Sequence, residues 1–148
     1  MAVQIGETWR NDGPEDTCFG CGHQNEQGLK IVFRRVAVDA VEARYEAAPH
    51  WCGPPDIIHG GIQAALLDEV LGAAAHCGFD EEPDGSVNLV TVDFQLHYRR
   101  PCRTGTPLLL RGELLRVEGR DVFVEGAIRD AEGETLTTAE ARWCRLRS

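Results

Sequence analysis

The sequence has no stretch approaching the roughly 18 consecutive apolar residues of a membrane-spanning helix, so no helical anchor is expected within it. Positive charge is also scarce. Fifteen Lys and Arg stand against 24 Asp and Glu, a formal net charge of −9. Such a chain repels phosphate backbones and anionic bilayers, which argues against a nucleic-acid or membrane partner. The opening Met1-Ala2-Val3-Gln4-Ile5-Gly6-Glu7 lacks a basic segment followed by an apolar core. That predicts no secretory leader and a cytoplasmic location. Internal repeats and low-complexity segments are missing as well, which sets aside repeat and disordered architectures.

What is present fits one globular domain: 148 residues, 43% hydrophobic and 26% charged. The acid is uneven, with 15 acidic and 5 basic residues in 1–90 but 9 acidic and 10 basic residues in 91–148. Six cysteines, at 18, 21, 52, 77, 102 and 144, read as reduced thiols with at most one metal site.

Residues 1–28 are rich in Gly, Asp and Glu with little periodicity, and are expected as a loop segment preceding a domain over 29–148. Leu29, Ile31 and Phe33 alternate with polar or outward residues, and Val41, Ala43 and Tyr45 repeat the pattern, which predicts an antiparallel hairpin. After a Pro/Gly loop, Gly60 to His76 forms the one convincing helix. Only Gln63, Asp68, Glu69 and His76 interrupt its apolar surface, so it is expected to be buried. Strands follow over about 90–98, 108–118, 121–130 and 135–146, with turns at Gly119 and Gly133. The order strand, strand, helix, four strands gives an α+β class, an antiparallel sheet wrapped around one long helix.

The densest chemistry lies at His59-Gly60-Gly61-Ile62-Gln63 through Asp68. Glycines at a helix start leave unpaired N–H groups at the positive end of the helix dipole, suited to an oxygen gaining negative charge. Two turns on, Asp68 sits among Gly61, Ala64, Ala65, Gly72 and Ala75, where burial raises a carboxylate toward useful base strength.

This arrangement resembles the hot-dog-fold acyl-CoA thioesterases, in particular the PaaI-like branch, whose central helix opens on His-Gly-Gly with an Asp nine residues after the His. The "CFGCG…N…GL" run (Cys18 to Cys21, Asn25, Gly28-Leu29) and the strand Thr91 to Tyr98 followed by Arg99-Arg100-Pro101 extend the likeness over most of the chain. The resemblance implies an enzyme that hydrolyses acyl-CoA to free acid and coenzyme A without a catalytic cofactor. It implies Gly60 as oxyanion donor with His59 shaping the hole, Asp68 as general base or nucleophile, and Thr91 as the hydroxyl that holds the attacking water. Gly61 and Gln63 fall to the substrate-binding surface. It also implies a homodimer or homotetramer, since such sites converge across an interface. Gly53 departs from the pattern, standing where relatives often have Asn, and Gln63 is the candidate to take over that orienting role. The alternative is a non-catalytic hot-dog module binding acyl or CoA ligands or a protein partner. The Asp/His spacing of a hydratase is absent.

Arg99, Arg100 and Arg103 are candidates for clamping the coenzyme A phosphates. Cys18-x-x-Cys21 has neither the C-x-x-C-H spacing of haem attachment nor a thioredoxin-like context. The first hairpin should bring it beside the segment after residue 47. That predicts a structural zinc on Cys18, Cys21, His50 and Cys52, with His23 as substitute ligand.

Overall fold

The computed structural model describes residues 3–147. Seven strands form one antiparallel sheet: β1 (Thr8–Trp9), β2 (Phe33–Ala37), β3 (Ala40–Tyr45), β4 (Leu89–Tyr98), β5 (Leu108–Glu118), β6 (Asp121–Arg129) and β7 (Thr135–Arg145). Their spatial order is β1-β2-β3-β5-β6-β7-β4, and the single long helix α1 (Gly60–His76) packs on the sheet's inner face. This is the expected hot-dog fold. Among the described residues no helix is long and apolar enough to cross a membrane.

Helix α1 buries Leu66, Leu67, Val70, Leu71, Ala74 and Ala75, and its opposite side carries no charged stripe, so its stability comes from enclosure rather than amphipathicity. The sheet admits it through a gap in its side chains. Gly112 of β5 and Gly126 of β6 are paired directly across the ladder. A Cβ on Gly112 would lie 2.5 Å from the Val70 carbonyl oxygen, and one on Gly126 would collide with the Arg111 carbonyl oxygen of β5 and lie 2.8 Å from a Leu71 methyl. Glycine inside a strand here marks the close approach of another backbone.

Two expectations need correction. The first hairpin strand starts at Phe33 rather than Leu29, because Lys30 takes a positive φ of 54° and the N–H groups of Leu29 and Ile31 donate to Phe19 and Gly20 instead of a strand. The faces were nonetheless read correctly, with Leu29, Ile31 and Phe33 buried. The described part of the segment expected as loop also contributes structure: β1 pairs with β2, and Asn11 bridges Gly22. The turns at Gly119 (φ 62°) and Gly133 (φ 83°) stand where expected.

Beside the sheet, Arg35 is only 3% exposed and donates two 2.8 Å hydrogen bonds to Asp80, which holds the Asp80 carboxyl below the usual carboxylate range. This pair ties β2 to the segment after α1.

Gly112→Ala should destabilise the fold by about 1–3 kcal/mol, because the atom facing the new methyl is a helix carbonyl that cannot rotate away. Urea denaturation checks this. An unchanged midpoint would mean that the helix can lift off the sheet at no cost.

Candidate functional site

The site grows from the start of α1. His59 caps the helix, its Nδ1 accepting from the Gly61 N–H at 2.9 Å. An accepting Nδ1 puts the proton of the neutral ring on Nε2. Ile62 and Gln63 donate their N–H groups to the His59 carbonyl. The Gly60 N–H is left without a partner among the described residues. The Tyr98 hydroxyl donates to the Gly60 carbonyl at 2.8 Å, fixing the end of β4 to the first turn.

Two turns along, the Thr91 hydroxyl donates to Asp68 Oδ1 at 2.7 Å. Burial pushes the Asp68 carboxyl up, and the Thr91 bond pulls it partly back. Simple alternation along β4 would set Thr91 and Tyr98 on opposite faces, since seven residues separate them. Both nevertheless touch α1. The register of β4 against β7 explains it: Thr91 pairs with Trp143 but Asp93 pairs with Arg142, so Val92 is an extra, bulged residue. The bulge flips the strand, and Thr91 comes to share the inner face with Phe94, Leu96 and Tyr98.

Gln63 lies elsewhere than expected. It is 4% exposed, its amide nitrogen donates to the Ile58 carbonyl at 2.9 Å, and its oxygen accepts from Thr137 at 2.6 Å. Both ends are hydrogen-bonded inside the protein, so Gln63 joins the helix start to β7. The three arginines do not form one cluster. Arg99 reaches Thr138 on the sheet's outer face, Arg100 pairs with Glu134 at 3.2 Å, and Arg103 bridges by its backbone to Ile57, just before the helix. The Arg103 guanidinium has no partner among the described residues.

The cysteine prediction is right in part. Among the described residues the group whose ligand atoms gather within 4.8 Å of one another is Cys18, Cys21 and Glu69, a set able to coordinate a metal ion. His50 and Cys52 do not join it. Their loop does approach the Cys18–Cys21 loop, but through rings: Trp51 meets Phe19 edge-on at 5.9 Å, and His50 lies against Trp51 at 4.5 Å. His23 is also outside the group, its two ring nitrogens buried without partners. Glu69 was missed because it follows Asp68 on the helix and reads as a second interruption of an apolar face. Burial raises the pKa of Cys21 and of Glu69.

A model of the thioesterase superfamily matches residues 56–137. The acyl-coenzyme A thioesterase THEM4 of Rattus norvegicus is 28% identical over 116 residues, covering 76% of this chain and 47% of that protein. The chain spans about half the length of the curated relatives it matches. The crystal structure of a thioesterase superfamily protein superposes with a TM-score of 0.77 at 29% identity, covering 87% of this chain and 60% of that one. A phenylacetic acid degradation-related protein of Ralstonia eutropha gives 0.67 at 28% identity, covering 80% and 86%.

Gln63→Ala should cost about 1–3 kcal/mol of stability, since it strands the Thr137 hydroxyl and the Ile58 carbonyl in the interior. Chemical denaturation of the variant measures this. No loss would return Gln63 to the substrate surface.

Proposed function

This chain belongs to the thioesterase superfamily, and from that premise we propose that it hydrolyses an acyl-CoA thioester to a free acid and coenzyme A. The carrying observation is the Asp68–Thr91 pair: a carboxylate partly withdrawn from water, one oxygen held by a hydroxyl at 2.7 Å and the other left to accept a proton. In this reading Asp68 takes a proton from water, helped by Thr91, and the hydroxide adds to the thioester carbonyl. The Gly60 N–H stabilises the oxyanion at the positive helix end, with the His59 ring fixing the adjacent turn. Collapse of the intermediate expels the coenzyme A thiolate, which takes up the proton from Asp68. Arg103, uncommitted beside the helix start, supports recognition of the coenzyme's phosphates, with Gly61 nearby on the exposed surface.

The proposed enzyme is, in this reading, an oligomer. Gly60 and Asp68 are eight residues apart on one helix, about 12 Å along its axis, while the oxyanion and the water activated by Asp68 meet at one carbonyl carbon, an arrangement better served by two copies than by one. In this reading the Gly60 amide of a second copy faces Asp68 of the first. Strand β4 ends the sheet, and its exposed Val90, Val92 and Tyr98 offer an edge along which two copies can join as a dimer, or as a tetramer of two such pairs.

Asp68→Asn should lower turnover by ~10²-fold or more while the protein stays folded, and Thr91→Ala should lower it less. A hydrolysis screen over short, long and aryl acyl-CoAs reads both variants. Near-wild-type turnover in Asp68→Asn would remove the base from the mechanism, and binding without hydrolysis of any thioester would make the protein a ligand-binding module. Light scattering on active enzyme should give at least twice the chain mass of 16.3 kDa. An active monomer would contradict the shared site.

A further inference from the structure

We infer that Cys18, Cys21 and Glu69 bind one zinc ion that clamps the amino-terminal loop to helix α1. The three ligand atoms come from two segments some fifty residues apart, with Cys18 Sγ 3.5 Å from Glu69 Oε1 and all three within 4.8 Å of one another. Tetrahedral zinc, with Zn–S of about 2.3 Å and Zn–O of about 2.0 Å, separates its sulfur and oxygen ligands by about 3.5 Å. The triangle is therefore already near the size the ion requires.

The donor types select the metal. Two thiolates are poor ligands for magnesium or calcium, and two sulfurs with one carboxylate suit zinc. Binding forms two Zn–S bonds and one Zn–O bond and releases the thiol protons to solvent. Water completes the tetrahedron, reaching it past the exposed Cys18.

The loop is built around Glu69. Gly20, between the two cysteines, has no side chain where a Cβ would collide with the Glu69 side chain. Backbone hydrogen bonds hold the loop there: Gly22 N–H to the Cys18 carbonyl at 2.9 Å, Leu29 N–H to Phe19 at 2.7 Å and Ile31 N–H to Gly20 at 3.1 Å. Cys21 and Glu69 also form part of the wall of a cavity of about 600 Å³, together with Trp9, Phe33 and Trp143. Zinc at this point fixes that wall to the turn of α1 that follows Asp68.

Protein purified under reducing conditions from zinc-supplemented cells, never exposed to chelator, should carry about one zinc per chain by elemental analysis. Cys21→Ser and Glu69→Gln should each lose it, while His50→Ala and Cys52→Ser should keep it. Cobalt in place of zinc should give a sulfur-to-metal charge-transfer band that weakens in Cys18→Ser. Should those variants fail to fold, metal-free wild type decides alone: zinc titrated back should restore resistance to proteolysis within residues 10–28. Wild type well short of one zinc per chain after reconstitution, full zinc in folded Glu69→Gln, or zinc lost from Cys52→Ser would each overturn the site.

Discussion

The tight contact between the backbone of one helix and the floor of the sheet governs this structure. Helix α1 has almost no polar side, so it persists only when enclosed. Enclosure at this distance demands that the sheet give up side chains where the helix passes, and Gly112 and Gly126 are paired there. At the other side Gly72 accommodates the Trp143 ring, where a Cβ would come within 2.5 Å. Three of the proposed groups are carried by this helix: the free amide at its start, the carboxylate two turns on, and the glutamate that meets the cysteine loop. Their positions are as fixed as the packing that seats the helix.

Much of this was legible in the sequence. The helix bounds, its burial, the hairpin turns and the α+β class all follow from periodicity and glycine placement. These signals are local, and the structure keeps them because core packing agrees with them. That Asp68 and Thr91 share one site was reached through resemblance, and periodicity alone would have denied it. Strict alternation puts Thr91 with the outward residues, and only the insertion of Val92 reverses it. A bulge leaves no clear mark on a single sequence when the extra residue is, as here, a valine that suits a strand.

Gln63, Arg99 and Arg100 do not gather at one surface, because a helix turns 100° per residue and a strand alternates. Neighbours in sequence therefore face different surroundings. Gln63 turns inward to Thr137, and Arg99 turns to the outer face. Glu69 was overlooked for the converse reason. Its partners, Cys18 and Cys21, are brought to it by tertiary folding of a loop that carries no periodic signal, while the aromatic side chains of Phe19 and Trp51 occupy the contact between loops that sulfur was expected to make.

The bulge at Val92 has a further consequence, for the edge of the sheet. Strand β4 presents ten residues with one edge unpaired, the kind of surface on which unrelated chains stack into aggregates. An interrupted edge is a poor template for a straight foreign strand, since pairing that starts on one side of Val92 falls out of step on the other. Asp93, immediately beyond, adds a charge to the interruption. The residue that turns Thr91 inward thus also makes this open edge a poor seed for foreign strands.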